Sequence, residues 1–465
     1  MDNNVNDFSH RSGNLITLGI VLSILTYWLF AQTFLNLGNV LQDTFHTSQS
    51  LLNLSISLTS LITGIFMVAA GNFSDRFGQT KMALLGIVLS IIGSLLLIMT
   101  ANAYVMLTGR VIQGFSAALL MPSTISVLNL IFEGDRRRSA LSWWSMGAFG
   151  GTGLASIIGG LVSTYFAWQW IFVISIIFAV IGLVLLLKLR HVQLSKKTTA
   201  TPFDFVGLII FTIVMAALSI FITQGKTIGY LSPVGLTLLA VAIMGLLIFI
   251  GVDKKKQYPF IDFSLFSNKA YTGVITANFL LNMSVGSIAV FNIFSQKSLG
   301  LSTFQSGLVT LPYVIMLLLL VKVGEKSIAK YGPKKSLVAA PLLLSIGVVL
   351  FALTFLTGWT YIIVAAIGFT FFGAGVGLFA TPALDTAVST LPKEKTGIAS
   401  AIFKMASTLG SGFGIAILVA VFSMLATQIG IEKAASIAFV VNIVIVILAF
   451  FFSKVFIPKS LDQPK

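Results

Sequence analysis

Fourteen apolar stretches of about twenty residues constrain the fold of this chain more than any other feature. They begin near Leu15, Leu51, Met82, Val105, Ala140, Gln169, Phe205, Pro233, Thr272, Gln305, Ser336, Thr360, Ile398 and Ala435. A helix of about twenty apolar residues crosses a hydrocarbon core of roughly 30 Å. Because lipid cannot satisfy backbone polar groups, such stretches favour helices that bond internally. The sequence therefore predicts an all-α integral membrane protein with fourteen spans.

The composition supports a membrane protein and excludes several chemistries. The chain is 57% hydrophobic and only 9% charged, far below the roughly 25% charged residues of soluble domains. It contains no cysteine, which rules out disulfides and thiolate metal sites. Its three histidines, His10, His46 and His191, are dispersed. A metal site is therefore not expected, and an enzyme with clustered acid and base groups is disfavoured.

The basic residues predict the orientation of the chain in the membrane. An even number of spans places both termini on one side, and cationic short loops stay in the cytoplasm. With the termini inside, only Lys226, Lys297 and Lys433 face outward, and Arg110 and Lys404 lie in or near spans. All other basic residues fall on the inner side. We therefore expect a cytoplasmic N-terminus and C-terminus, and a net charge of +15 directed at anionic lipid rather than nucleic acid.

A polar motif between spans 2 and 3 identifies a family. The segment from Gly71 to Lys81 reads Gly-Asn-Phe-Ser-Asp-Arg-Phe-Gly-Gln-Thr-Lys and predicts a short turn. It resembles the corresponding loop of major facilitator superfamily transporters at every fixed position, including Asp75, Arg76 and Gly78. The resemblance implies a conformational latch whose contacts form in one access state and break in the other. The alternative is a topology signal alone.

A second copy of this motif indicates two related halves. The segment from Gly324 to Lys335 is similar to the first motif, with Ala329 in place of the aspartate. Related halves suggest a binding site between them. The layout resembles a fourteen-span drug:proton antiporter subfamily, which implies the major facilitator fold of two six-helix bundles with two inserted helices. We assign residues 1–14 to a cytoplasmic N-terminus, 15–187 and 272–453 to the two bundles, 188–271 to the linker with the inserted pair, and 454–465 to a cytoplasmic tail.

Arg110 in span 4 is the strongest candidate for a role in transport. A guanidinium inside a membrane costs several kcal/mol unless it is paired and faces a polar interior. Together with Gln113 and Gly114 it fits the Arg-x-x-Gln-Gly motif of the family, which implies proton coupling. The alternatives are snorkelling, or structural bonding to backbone carbonyls of span 1.

Asp385 in span 12 is the second candidate for proton coupling, and it could also bind a cationic substrate. It is the carboxylate that the sequence places within a span rather than at a mouth. Partial burial there would let it bind and release a proton near neutral pH. The alternative is an ion pair with Lys393, Lys395 or Lys404.

Span 1 departs from the subfamily pattern. Gln32 stands where many fourteen-span pumps carry an Asp, and it cannot titrate. We expect Gln32 and Asn36 to contact substrate, with polar packing as the alternative for Gln32. Asp43, beyond the outer mouth, is either a partial substitute for the missing acid or a solvated loop residue.

Small residues in span 5 predict close helix packing. The run contains Gly150, Gly151, Gly153, Gly159 and Gly160, and it resembles the antiporter motif that ends in Gly-Pro-x-x-Gly-Gly. Ala155 and Ser156 replace the Gly-Pro pair, so the kink attributed to that proline is not expected.

Two further features lie near the spans. Lys404 in span 13 is expected to snorkel to the surface, with a site role as the alternative. Trp143, Trp144, Trp168 and Trp170 are expected in the aromatic belt at the membrane interface.

The resemblance implies multidrug efflux by alternating access, as in quinolone efflux pumps of Gram-positive bacteria. Amphipathic drugs and cationic dyes would leave in exchange for protons, with the proton motive force in place of a cofactor and with a monomer as the working unit. No Walker A loop is present in the sequence. The alternative is a proton- or ion-linked importer or facilitator of a small metabolite.

Overall fold

A computed structural model describes residues 10–132, 134–188, 202–391 and 396–462, and the described residues contain helices and no strands. The expected all-α fold is therefore confirmed. The α-helices are α1 His10–Leu25, α2 Gly38–Phe45, α3 Gln49–Phe77, α4 Gln79–Ile98, α5 Ala103–Ile131, α6 Gly134–Tyr165, α7 Gln169–Leu187, α8 Phe205–Ile228, α9 Pro233–Asp253, α10 Lys269–Met283, α11 Val285–Lys297, α12 Thr303–Val309, α13 Leu311–Tyr331, α14 Pro333–Phe351, α15 Gly358–Ser389, α16 Thr396–Ile429 and α17 Ile431–Phe456.

The fourteen predicted spans are confirmed within the described residues. Eleven spans consist of one α-helix each, and spans 1, 9 and 10 are interrupted. Span 1 continues from α1 through a π-helical turn at Thr26–Phe30 and a 3-10 turn at Ala31–Leu35. Span 9 is divided between α10 and α11, and span 10 between α12 and α13. Irregular backbone at membrane depth is tolerated only inside protein or along a cavity, so the interruptions point to the interior.

The two bundles repeat the same helix packing. In the N-terminal bundle, a Cβ atom added to Gly93 of α4 would lie 3.0 Å from the Gly109 carbonyl oxygen of α5. In the C-terminal bundle, a Cβ atom on Gly347 of α14 would lie 2.5 Å from the Gly368 carbonyl oxygen of α15. Glycine is required at these contacts because the backbones approach too closely for a side chain. Spans 3 and 4 thus correspond to spans 11 and 12.

The segments that the sequence marks as basic meet at one end of the protein, here called the basic face. Near α1, a Cβ atom on Gly13 would lie 2.8 Å from the Phe132 ring at the end of α5. Asn268 Nδ2 donates to the Thr390 carbonyl oxygen over 2.8 Å, and Lys334 Nζ donates to the Lys454 carbonyl oxygen over 3.0 Å. The other end is called the opposite face.

The expected polar turn from Gly71 to Lys81 is much shorter in the structure. Helix α3 continues through Phe77, and α4 begins at Gln79. Gly78 alone makes the turn, with φ = 101°, a value that L-residues other than glycine rarely adopt. Gly332 makes the matching turn between α13 and α14 with φ = 76°. The polar residues of the motif therefore belong to helix ends rather than to a loop.

The inserted helices α8 and α9 form a hairpin beside the seam between α3 and α16. Gln224 Nε2 of α8 donates to the Ser50 carbonyl oxygen of α3 over 3.0 Å. Lys226 Nζ donates to the Ser423 carbonyl oxygen of α16 over 2.8 Å. Helix α8 is therefore bonded to both bundles near the opposite face.

A carboxylate cluster fastens the hairpin at the basic face. Asp253 accepts hydrogen bonds from the Phe260 and Ile261 N–H groups over 3.0 and 2.9 Å, and Lys256 Nζ lies 2.6 Å from Asp204 Oδ1. Burial raises the pKa of the Asp204 carboxyl, but bonds from Lys256 and the Gly207 N–H outweigh burial, so this pKa lies below its ordinary value. The cluster fixes the loop after α9 against the start of α8.

Candidate functional site between the bundles

Arg110 lies in the core of the N-terminal bundle, where it is 1% exposed. Its Nε donates to the Ser55 carbonyl oxygen over 2.9 Å, and its Nη1 donates to the Ala31 carbonyl oxygen over 2.9 Å. The guanidinium also lies over the Phe34 ring, with Cζ 4.1 Å from the centroid. Arg110 therefore joins span 4 to spans 1 and 2 through backbone oxygens, the arrangement that we stated as the alternative to proton coupling.

The interruption of span 1 supplies one of these acceptors. Ala31 begins the 3-10 turn that follows the π-helical turn, and such turns replace the regular bonding of an α-helix at functional sites. Gln113 completes the arrangement, because its Oε1 accepts from Arg110 Nη1 over 2.9 Å and its Nε2 donates to Ser94 Oγ over 3.4 Å. Arg110 and Gln113 thus act as one hydrogen-bonded unit.

Gln32 is buried beside this unit and not on an open surface. It is 6% exposed and lies within hydrogen-bonding reach of the Tyr27 hydroxyl, which is 3.3 Å from Ser60 Oγ. In this conformation Gln32 belongs to the polar core of the N-terminal bundle. Its contact with substrate stays a prediction.

The C-terminal bundle has an aromatic core at the corresponding place. Gly109 and Gly368 occupy equivalent packing positions, so Phe369 corresponds to Arg110. Phe369 is fully buried, and its ring centroid lies 4.9 Å from that of Phe291 and 4.5 Å from that of Phe351. The related halves therefore share a backbone plan but differ in charge.

Three amide side chains, Asn36, Asn292 and Gln296, join the bundles near the opposite face and are here called the amide cluster. Asn36 Nδ2 donates to the Ser156 carbonyl oxygen over 2.6 Å and to the Thr303 carbonyl oxygen over 2.9 Å. Gln296 Nε2 donates to Asn36 Oδ1 over 2.9 Å. Asn36, expected to bind substrate, is fully buried in bonds that hold the bundles together.

Asn292 makes three further bonds in the same cluster, two of which join the bundles. Its Nδ2 donates to the Leu35 carbonyl oxygen over 3.1 Å and to Ser156 Oγ over 3.4 Å. Its Oδ1 accepts from Ser306 Oγ over 3.0 Å. Amides of span 9 thus bind the interrupted end of span 1 directly.

Spans 5 and 10 touch beside the amide cluster. A Cβ atom on Gly160 would overlap the Thr303 carbonyl oxygen, and one on Gly153 would lie 2.9 Å from Val314. On the other helix, a Cβ atom on Gly307 would lie 2.5 Å from the Ser156 carbonyl oxygen. Between residues whose side chains the structure describes, the hydrogen bonds that join the bundles directly all lie in the half near the opposite face. The structure is therefore closed at that face.

The remaining glycines of span 5 divide into two groups. Gly151 and Gly159 face span 1, where an added Cβ atom would lie 3.0 Å from Leu25 Cδ2 and 2.8 Å from Thr33 Cβ, respectively. Gly150 meets nothing within 4 Å, so it does not fit the expected role in helix packing. Helix α6 is continuous through Ser156.

The other predicted site residues lie toward the basic face. Asp385 is on α15, four residues before its end at Ser389, and its side chain is exposed. The expected partial burial of Asp385 is therefore wrong for this conformation, and its role in coupling stays a prediction. Arg76 and Lys81 are exposed.

The role of the latch residues stays a prediction. The side chain of Asp75 lies outside the described residues, as do Lys393 and Lys395. The backbone at Gly71 passes beside Pro122 of α5, since an added Cβ atom would lie 4.0 Å from the proline Cβ.

Several functional features were missed or misplaced by the sequence. Trp144 and Trp168, expected in the interfacial belt, are each 5% exposed, whereas Trp143 and Trp170 are exposed. Lys404 does not extend to the surface, because its ammonium lies over the Trp144 ring, 5.9 Å from the centroid. The amide cluster was also missed beyond Asn36. The spacing of Asn292 and Gln296, four residues apart in an apolar helix, was the available signal.

Comparison with known proteins agrees with this architecture. A family model described as Major Facilitator Superfamily matches residues 16–415. The chain belongs to the major facilitator superfamily. Major facilitator proteins are transporters, and the chain is accordingly a multi-pass membrane transporter and not an enzyme.

Named relatives and solved structures extend this result. The quinolone resistance protein NorB of Staphylococcus aureus strain MRSA252 is 41% identical over 452 residues, covering 97% of each chain, and NorB of strain COL is equally similar. A POT family transporter solved with 5-aminolevulinic acid has a TM-score of 0.72 at 17% identity, covering 97% of this chain and 98% of that chain. A D-xylose-proton symporter has a TM-score of 0.67 at 18% identity, covering 97% and 99%. The structural matches show the fold alone.

Proposed function

We propose that this protein is a drug efflux transporter that exports quinolones and other amphipathic drugs in exchange for protons. The observation that carries the proposal is the 41% identity to NorB over 97% of both chains. Likeness of this extent spans nearly the whole length of both proteins.

The proposed cycle is alternating access between the two bundles. We place the basic face in the cytoplasm, on the positive-inside pattern of the loops, with both termini on that side. The conformation closed at the opposite face is then an inward-facing state, and drug enters from the cytoplasm or the inner leaflet. Breaking the amide cluster and separating Gly160 from Thr303 opens the outward path.

Proton movement would drive the cycle. The membrane potential supplies about 2.3 kcal/mol per charge per 100 mV, so one proton can support a severalfold or larger drug gradient without ATP. We propose Asp385 as the proton-carrying group and Arg110 as a fixed charge that holds spans 1, 2 and 4 together. A monomer suffices, since the site lies between the two halves of one chain.

The test is transport by the purified chain in proteoliposomes. Norfloxacin and ethidium movement would be recorded with and without an imposed proton gradient, with proton flux measured in the same vesicles. Drug movement opposite to proton flux supports the proposal. Movement in the direction of the proton would instead indicate a symporting importer, and gradient-independent movement a facilitator.

A further inference from the structure

Lys404 lies inside the protein at the interface of the two bundles. It is six residues beyond Ile398, the first residue of span 13, which corresponds to roughly 9 Å along the helix axis. Its ammonium lies over the ring of Trp144, 5.9 Å from the centroid. Lys404 belongs to the C-terminal bundle and Trp144 to the N-terminal bundle, so this contact crosses the space between them.

The indole of Trp144 is held in one orientation. Its side chain is 5% exposed, and its Nε1 donates to Thr124 Oγ1 of α5 over 3.0 Å. The indole is a flat apolar surface of the kind on which aromatic rings stack, and in this conformation the Lys404 ammonium lies over it.

Polar groups continue from Lys404 along the C-terminal bundle. Ser400 and Thr408 stand four residues before and after Lys404, and therefore share its helix face. One turn away, Asn278 Nδ2 donates to Ser407 Oγ over 2.8 Å, and Asn282 Nδ2 donates to the Asn278 carbonyl oxygen over 2.8 Å. Asn282 is half-buried and adjoins the interruption of span 9. Lys404 thus belongs to a row of polar side chains beside the Trp144 ring.

We propose that Lys404 and Trp144 form a subsite for the carboxylate and the ring system of aromatic carboxylate substrates. The inference rests on the proposed function and narrows its substrate class. A lysine ammonium binds a carboxylate as a compact point charge, and the indole stacks on the fused rings that carry it. Quinolones combine a carboxylate with a fused aromatic ring.

The same subsite gives a reason for neutral Gln32 in span 1. A transporter selective for cations benefits from fixed negative charge in its pathway, whereas one that binds carboxylates through a lysine does not. The neutral side chain at Gln32 and the cation at Lys404 therefore favour the same class of substrate.

The test is equilibrium binding to the full chain in nanodiscs of neutral phosphatidylcholine, with norfloxacin and its methyl ester as probes. The ester keeps the rings and the basic piperazine but lacks the carboxylate. The variants are Lys404→Gln, which removes the charge, and Lys404→Arg, which keeps it. Lys322→Gln, at an exposed position on α13, is the matched control.

We expect wild type to bind the acid at least about tenfold more tightly than the ester, since a hydrogen bond to a charged group contributes about 1.5 to 3 kcal/mol. Lys404→Gln should bring the two affinities within about threefold, while Lys404→Arg and Lys322→Gln keep the preference. Equal weakening of both probes by Lys404→Gln, equal binding of both probes by wild type, or binding of neither would overturn the subsite. Acid-selective, Lys404-dependent binding without efflux in proteoliposomes would uphold the subsite and reject the proposed function.

Discussion

Replacing Asn36 by alanine should open the face of the protein that the structure shows closed. Asn36 makes two bonds between the bundles that the substitution removes, one to the Thr303 carbonyl oxygen and one from Gln296 Nε2, each over 2.9 Å. The substitution also removes a third bond, from Asn36 Nδ2 to the Ser156 carbonyl oxygen within the N-terminal bundle. Two of the three lost bonds therefore belong to the interface between the bundles.

The expected magnitude follows from these two bonds. A hydrogen bond contributes about 0.5 to 1.5 kcal/mol net, so the closed state loses about 1 to 3 kcal/mol relative to a state in which the bundles have parted. Such a loss shifts the equilibrium between the two states by about fivefold to 150-fold. Gln296 Nε2 keeps its bond to the Asn36 carbonyl oxygen over 3.1 Å in the variant, because that acceptor belongs to the backbone.

Distances between spin labels would measure this shift by pulsed electron resonance. The natural chain contains no cysteine, so spin labels attach only to cysteines that are introduced in pairs. Phe166 and Phe355, 62% and 71% exposed, report across the opposite face. Phe77 and Glu325, both exposed, report across the basic face. We expect Asn36→Ala to lengthen the first distance and shorten the second in a larger fraction of molecules.

Asn442→Ala is the matched control for this experiment. Asn442 is equally buried, but it bonds to Ser284 and Ser287 within the C-terminal bundle. This control should leave both distance distributions unchanged. Unchanged distances in Asn36→Ala, or an equal shift in Asn442→Ala, would refute the assignment of the amide cluster as the closure.

Three further predictions concern other parts of the molecule. Arg110→Ala should abolish transport and also lower the melting temperature. The carbonyl groups of Ser55 and Ala31 lose their donor, which costs about 1 to 3 kcal/mol of folding stability each. Lost transport with an unchanged melting temperature in differential scanning fluorimetry would contradict the packing role. Gly160→Val should abolish drug transport, because the added side chain blocks the approach of span 5 to Thr303. Gly150→Val serves as the control. Retained transport in Gly160→Val would speak against closure at this contact. Asp204→Asn should lower the melting temperature at pH 7. Because folding lowers the Asp204 pKa, the difference in melting temperature from wild type should vanish as the pH falls through the pKa of Asp204 in the folded protein. A difference that persists unchanged at pH 2 would count against the Asp204–Lys256 pair.

The fold could be predicted because lipid imposes a simple length rule on the sequence. Each span needs about twenty apolar residues, and all fourteen were placed from that rule. The interruptions of spans 1, 9 and 10 could not be predicted in the same way, since hydropathy is the same for regular and irregular apolar helix. The length of the turn in the Gly71 motif was predicted wrongly for a related reason. Polar residues at the end of a helix resemble a loop in sequence.

The site was predicted where charge is costly and missed where side chains are neutral. Arg110 stands out because burying a guanidinium in a membrane is costly unless the group is paired. Its partners are backbone carbonyl oxygens, which the sequence does not distinguish. Asn292 and Gln296 form the bundle interface with ordinary amides. Trp144 was assigned to the membrane interface because tryptophan is common there, and only the packing of α5 and α6 reveals that it is buried.

The geometry indicates which contacts can change during transport. The Arg110 guanidinium is bonded to groups of spans 1, 2 and 4, all within the N-terminal bundle, so it moves with that bundle as one body. The aromatic cluster around Phe369 has the same role in the C-terminal bundle. Rocking of two rigid bodies alters only the contacts between them, which in the described residues include the amide cluster, the glycine contacts of spans 5 and 10, and the pair of Lys404 and Trp144. A substrate can bias the cycle only by binding one of these arrangements better than the other, and of the three, the Lys404–Trp144 pair alone offers both a charge and an aromatic face to a drug.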